Sequence, residues 1–328
     1  MATAAADLLT LVRKRVNVGA VHTEARRPFR FLLCGDPALV AEFRALLLFS
    51  REDANVPFDA ASTLETIDPV RRPTVVGPDV RALIFLGGPG DFAAIDAALL
   101  TSLGVPVFAL TVDPETLPAQ QPATAPAAGT FAEYVVPRLD REALRGRVFP
   151  HLIDRCKGTE VAVGRRLPAL RETVAAKLTR DAASSALKIA GASAVVDHVP
   201  LLGIVLGAVA SAGDMVAITG IQIVLMMQIG ATYGKDPDVA RIWELLPVVG
   251  GGLGWRALSR ELSGFIPVAG IAIKAAIAYA GTIVVGEGVG FFYEHGRHMT
   301  AQQAGLIYEE RKRAALAFAR DLVARLRS

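Results

Sequence analysis

Hydrophobic and polar positions follow two regimes along the chain, and the change falls near residue 158. In the first, short apolar runs alternate with amphipathic stretches. FRFLLC (29–34), ALIFLGG (82–88), VPVFALTV (105–112) and FAEYVV (131–136) have strand length and are nearly continuous in apolar residues. That is the pattern of strands covered on both faces. Residues 37–49 read as a helix with Leu39, Phe43, Leu46 and Leu47 on its apolar side. Helices are also expected over 3–16, 91–103 and about 140–156, with a turn at Pro89-Gly90 and a loop over the Pro/Ala/Thr-rich stretch 116–130. Strand–helix alternation of this kind implies a parallel sheet covered by helices.

In the second regime strand signals vanish. Residues 167–198 read as a long, kinked helical connector, 199–296 are apolar and rich in small residues, and 300–326 form one amphipathic helix. Thr300 is placed to cap that helix with Gln303 at the capping-box position, and Ile307, Ala314, Phe318 and Leu322 share a face. Residues 215–234 carry no charge across twenty positions, enough to cross a bilayer. The uncharged stretch 199–213 precedes it, and Asp214 separates the two. If the helix is continuous, Asp214, Gln222, Gln228 and Thr232 form a polar arc that faces protein or water. If Gly213 breaks it, 199–229 is a hairpin. A second apolar segment, 267–293, starts at Pro267 and is interrupted by Lys274 and Glu287, with twelve uncharged residues between them. That is short for a span and normal for a buried helix. Residues 245–265 open with glycines and continue with a mixed amphipathic face.

Composition sharpens this division. The chain has 328 residues, 52% hydrophobic and 20% charged, with mean hydropathy +0.40. Soluble domains carry about 25% charged residues, so the excess apolarity belongs to the second half. A net charge of +3 is too mild for a nucleic-acid partner. The clusters Arg13-Lys14-Arg15, Arg26-Arg27 and Arg311-Lys312-Arg313 read as solvated helix faces in preference to lipid contacts. Cys34 and Cys156 make neither a disulfide framework nor a zinc site and fit a reducing cytosolic face. The N-terminus lacks a signal-peptide pattern.

The junction FLLCGDPALVAEF (31–43) begins like a phosphate-binding loop. On the template G-x-x-x-x-G-K-[ST] started at Gly35, Val40 stands for the second glycine, Ala41 for the lysine and Glu42 for the hydroxyl that holds magnesium. Asp36 competes for any amides the turn offers an anion. Thr111, Val112 and Pro114 likewise replace the guanine-reading N/T-K-x-D pattern, and no D-x-x-G occurs between 60 and 80. Gly87-Gly88-Pro89-Gly90 reads as a strand-to-helix turn. The first domain thus looks like a GTPase fold stripped of its motifs, and no cofactor, metal or catalytic residue is assigned. His295 and His298, beside Glu294, have metal-ligand spacing without a third partner and read as a solvated helix end.

Gly164-Arg165-Arg166-Leu167-Pro168-Ala169-Leu170-Arg171, Val199-Pro200, Asp214, Gln222, Tyr233-Gly234-Lys235-Asp236, Phe265-Ile266-Pro267-Val268-Ala269-Gly270 and Gly286 together resemble the domain of unknown function 697. This family includes inner-membrane proteins and is often fused or linked to GTPase domains. The resemblance covers roughly 160–296. It implies an all-helical, membrane-associated domain beside a GTPase-like one and brings no catalytic residues.

The expected architecture is a degenerate, GTPase-like α/β N-terminal domain with a parallel sheet, plus an all-α C-terminal helical domain. Its parts are an N-terminal helix and linker (1–27), the α/β domain (28–157), a helical connector (158–198), the apolar helical domain (199–296) and the amphipathic helix (297–328). The expected function is a non-enzymatic membrane-associated scaffold or adaptor with a protein partner, on the cytoplasmic face of the inner membrane. Two alternatives stay open. One is a soluble cytoplasmic homo-oligomer, favoured by Asp214, Lys274 and Glu287, each costly against lipid. The other is a noncanonical nucleotide-dependent membrane switch acting near Gly35 or Gly88–Gly90.

Overall fold

The computed structural model describes residues 17–49, 56–68, 76–94, 97–115, 124–196, 203–238 and 270–327, and only the backbone of 191–196, 203–216, 270–274, 315 and 318–327. The helix expected over 3–16, the start expected at Pro267 and the segment 245–265 lie outside the described residues. The chain divides into two compact units. One comprises Thr23–Lys177 with Ala231–Lys235; the other comprises Met1–His22, Leu178–Gly230 and Asp236–Ser328.

The α/β unit is built on five parallel strands: β1 (Arg30–Gly35), β2 (Leu64–Thr66), β3 (Val80–Gly87), β4 (Val107–Val112) and β5 (Phe131–Val136), in the order β2-β1-β3-β4-β5. Leu32 pairs with Leu83 and Leu83 with Val107, and the next row on that face is Cys34, Phe85 and Ala109. These residues form a buried core with Phe92 and Leu100. Phe31, Leu33, Ile84, Phe108 and Tyr134 alternate onto the opposite face and are also buried. Covering both faces explains the unbroken apolar runs. At the amino edge Arg30 ties three strands together, donating from Nε to Asp79 Oδ2 at 2.6 Å and pairing with Glu65. The guanidinium holds the Asp79 carboxyl below its ordinary range.

Helix α1 (Val18–Arg26) precedes β1, and α2 (Pro37–Leu48) follows it almost at once. Pro37 at the first helical position suits a helix start. Helical residues Asp91–Ala94 (α3) and Ala97–Thr101 (α4) fall in the region expected as one helix over 91–103, with 95–96 outside the described residues. The helix expected over 140–156 is two, α5 (Arg141–Arg145) and α6 (Val148–Asp154). The break has a cause in Pro150, whose ring cannot lie against the carbonyl four residues earlier in a continuous helix. Helix α7 (Glu160–Arg166) then leads to α8 (Arg171–Val196). Leu167, extended at φ −117° and ψ 90°, separates them, as the residue before Pro168 must. Helix α8 itself is continuous from Arg171 to Val196, so the kink expected within 167–198 is absent there and the break falls at the start of that stretch.

The helical unit contains most of α8 and α9 (Gly203–Thr232), with α10 (Gly270–His295) and α11 (Ala301–Arg327). Helix α9 runs unbroken through Gly213, which overturns the hairpin alternative. A lone glycine costs about 1 kcal/mol in a helix, too little to stop one that neighbours stabilise. Helix α10 is central. Thr179 of α8 meets it at Gly286, and Ala186 and Ala190 join Ala275 and Ala278 in one cluster, so α8 and α10 run antiparallel. A Cβ on Gly286 would lie 2.2 Å from Thr179 Oγ1. Gln222 of α9 reaches Thr282, and Gly230 lies against Tyr293, so α9 runs parallel to α10. Helix α11 folds back along α10, bringing Arg311 Nη2 to 3.6 Å from Glu287 Oε1. Its capping box is reciprocal: Gln303 N–H donates to Thr300 Oγ1 at 3.2 Å, and Thr300 N–H to Gln303 Oε1 at 3.0 Å. The face expected through Ile307 and Ala314 is displaced. Ala314 is exposed, and the shielded positions are Ala304, Ile307, Tyr308, Lys312 and Leu316.

Candidate functional site

In an open parallel sheet, ligands enter beyond the carboxyl ends of the strands, where the strand order reverses. Here that point lies between β1 and β3. Both strands end in glycine and are followed by an aspartate close behind, so the geometry tests directly whether an anion has a place.

Gly35 adopts φ +112°, a left-handed conformation, and a Cβ on it would fall 2.0 Å from the Leu86 carbonyl oxygen. Asp36 N–H donates to that oxygen at 2.8 Å. The Asp36 carboxylate turns back onto its own helix and accepts from the amides of Ala38 and Leu39, both at 2.9 Å. This is an ordinary N-cap. It also places a negative charge where a phosphate would need those amides. At the end of β3 a second aspartate reaches backwards into its own turn: Asp91 Oδ2 accepts from Gly88 N–H at 2.7 Å. Gly87 is the residue that admits this, since a Cβ there would meet Asp91 Cβ at 2.7 Å.

The template positions fall accordingly. Helix α2 begins two residues after β1 ends, leaving no length for a loop that wraps a phosphate. Val40 is buried in the core, while Ala41 and Glu42 are exposed. Thr111 donates its hydroxyl to Glu133 Oε1 at 2.7 Å. Cys34, at the end of β1, is buried, and burial pushes its thiol up to about 12, so it is not a ready nucleophile. Sequence reasoning missed Asp91. The only signal was an acid three residues beyond Gly88, the spacing of a side-chain cap.

The polar positions of the apolar half do not converge on one site. Gln222 is buried and donates from Nε2 to Thr282 Oγ1 at 3.3 Å, while Thr282 donates onward to the Ala278 carbonyl at 2.8 Å. Glu287 faces Arg311. Asp214 and Lys274 lie on α9 and α10, with side chains outside the described residues. His295 stacks on Phe291 at 4.2 Å and His298 on Phe292 at 4.9 Å, so the two imidazoles rest on different rings. Among the described residues no group of three or more His, Cys, Asp or Glu side chains gathers in a metal-holding arrangement.

Two of the stretches that carry the family resemblance do meet, inside the α/β unit. Arg165 Nη1 donates to the Lys235 carbonyl at 3.1 Å, and the Arg171 guanidinium lies 5.9 Å from the Tyr233 ring centroid. A Cβ on Gly164 would reach within 2.4 Å of Thr232 Cγ2. Arg166 donates to Asp59 Oδ2 at 3.0 Å and to the Ala25 carbonyl at 3.3 Å. These arginines tie main chain and neighbouring segments together.

No family model, no curated protein and no solved structure matches the chain.

Proposed function

We propose that this protein is a non-enzymatic, membrane-associated scaffold whose α/β unit keeps the frame of a GTPase-like domain without its nucleotide site. The observation that carries the first half is the pair of self-capped turns at the switch point: Asp36 on Ala38 and Leu39, Asp91 on Gly88. The amides of Ala38, Leu39 and Gly88, which a phosphate at these turns would draw on, already hold carboxylates. The template lysine position is Ala41, and Glu42 beside it would repel a triphosphate. The resemblance to the domain of unknown function 697 adds the GTPase-associated, membrane setting; the scaffold reading itself adds an unidentified protein partner on the cytoplasmic side. Helix α10 supports the membrane half: Ala275–His295, 21 residues, is long and apolar enough to cross a bilayer.

The test is a thermal-shift and calorimetric titration of the full chain with GTP, GDP and ATP, each with magnesium. No saturable shift is expected. A saturable shift overturns the scaffold reading in favour of a nucleotide-dependent switch.

One observation favours the soluble character of the second reading, a homo-oligomer: 67% of the most apolar part of α10 is already buried within its own chain. Light scattering of detergent-free protein, paired with vesicle flotation, separates the two. A monodisperse oligomer that never floats selects the second.

A further inference from the structure

Helix α10 carries two sets of properties that do not belong together in a helix with one permanent environment. Its 21-residue segment Ala275–His295 is about 31 Å long at 1.5 Å per residue, matching a hydrocarbon core of about 30 Å. Its ends carry the residues that settle at a bilayer surface. Lys274 precedes the segment, Phe291, Phe292 and Tyr293 lie near its end, Glu294 and His295 close it, and Arg297 follows, its guanidinium 4.8 Å from the Phe291 ring centroid.

Yet in this conformation α10 has no access to lipid along two sides. Helix α8 lies against it from Gly286 to Ala275 and turns Arg180, Asp181 and Lys188 outward. Helix α11 lies against its other end and exposes Glu309, Glu310, Arg311 and Arg313. Those charges would be costly in hydrocarbon. The α8–α10 contact is built mainly of small residues, Ala186, Ala190, Ala275, Ala278, Gly286 and Thr179, with Leu187 packed at its edge, and holds the helices by close approach. Glu287 is the one carboxylate between Ala275 and Tyr293. It sits eight residues from the end of the segment, and Arg311 satisfies it from outside.

We infer that α10 is a membrane-inserting helix kept in store by its charged neighbours, with α11 as the removable cover and Glu287–Arg311 as the contact that must be given up on insertion into an anionic bilayer. This rests on the membrane-associated reading and specifies its mode. The protein folds with α10 sheathed and inserts it only when a bilayer competes for it. Arg297 and the basic positions of α11 meet the anionic headgroups once the cover swings away.

The experiment uses the full chain, wild type and the variants Glu287→Gln and Arg311→Gln, with vesicles of phosphatidylcholine and phosphatidylglycerol. Flotation reports binding, resistance to alkaline carbonate reports insertion, and hydrogen exchange over residues 301–313 reports whether α11 stays packed. Circular dichroism before mixing confirms that each variant is folded. E287Q removes the charge that opposes insertion while keeping the side chain's shape, and it should raise the carbonate-resistant fraction about tenfold over wild type. In that fraction α11 should lose its protection. R311Q loosens α11 but leaves the carboxylate in the segment, so its gain should be smaller. If E287Q and R311Q both loosen α11 and neither resists carbonate, the inference is overturned, while flotation of the same samples keeps the membrane-associated reading. If wild type is wholly carbonate-resistant with α11 still protected, α10 is not stored and the inference again fails. If no variant floats, both readings fall.

Discussion

Gly35 rests on the carbonyl of Leu86, so closely that a methyl group in place of its hydrogen would lie 2.0 Å from the oxygen. That contact closes the seam between β1 and β3 at the point where a doubly wound sheet would otherwise open to a ligand. Gly35→Ala meets both the clash and a φ of +112°, and should cost about 2–4 kcal/mol of stability, read from the urea midpoint of the full chain. Gly90, also at positive φ (+86°) but with nothing within 4 Å of a Cβ, is the control. Its alanine variant should lose only about 1–2 kcal/mol. Equal losses at the two sites would show that the Leu86 contact is not what constrains Gly35.

Asp36 is a helix cap before it is anything else. Asp36→Ala should lower stability by about 1 kcal/mol, and Asp36→Asn by much less, because the amide oxygen still accepts from Ala38 and Leu39. Neither variant should acquire GTP binding in a calorimetric titration, since Ala41 and Glu42 point to solvent and supply no cation. GTP binding by D36A would show that the carboxylate alone blocks a competent site.

His151 gives the α/β unit a built-in acid sensitivity. Its Nδ1 and the Tyr134 hydroxyl are hydrogen-bonded at 2.9 Å within the core. Burial holds the imidazole below its ordinary value and pushes the phenol up to about 12. The folded state therefore keeps His151 neutral, while the unfolded chain takes a proton near pH 6.5. The stability this confers is complete above about 6.5 and is lost as pH falls through the lower folded value. Urea midpoints should decline over that interval, and His151→Gln should flatten the decline. An unchanged slope in the variant would assign it to other groups.

In the helical unit, Gly286→Ala drives a methyl into Thr179, whose Oγ1 and Cγ2 would lie at 2.2 and 2.5 Å. The expected loss is about 1–3 kcal/mol. Thr179→Ala removes both atoms, so the double variant should lose clearly less than the sum of the single losses. Strict additivity would mean that the two helices separate in solution at this level.

Much of the α/β unit was legible because its signals are local. The apolar runs at 29–34, 82–88, 105–112 and 131–136 mark strands, and the structure places each in the parallel sheet, the last at its edge with Phe131 and Glu133 exposed. The Thr300–Gln303 capping box closed as its spacing required. Strand β2 was not legible. Leu64-Glu65-Thr66 is too short to show a period, and it is a strand only because β1 offers it an edge. Nor was Asp91 legible as a cap, because Gly88 reads equally well as a loose turn.

Sequence alone determined the alternation of strands and helices, the missing lysine and hydroxyl at Ala41 and Glu42, and the apolar character of 275–295. These depend on residue type and on spacings within one or two helical turns. Tertiary structure alone decided that the Gly164–Arg171 stretch joins Thr232–Lys235, that Gly213 does not break α9, and that α10 lies between helices with charged outer faces. The physical reason is that an apolar helix presents the same pattern to lipid as to protein. What surrounds it is set by partners far away in sequence, such as Thr179 at Gly286 and Arg311 at Glu287, and no local period records them.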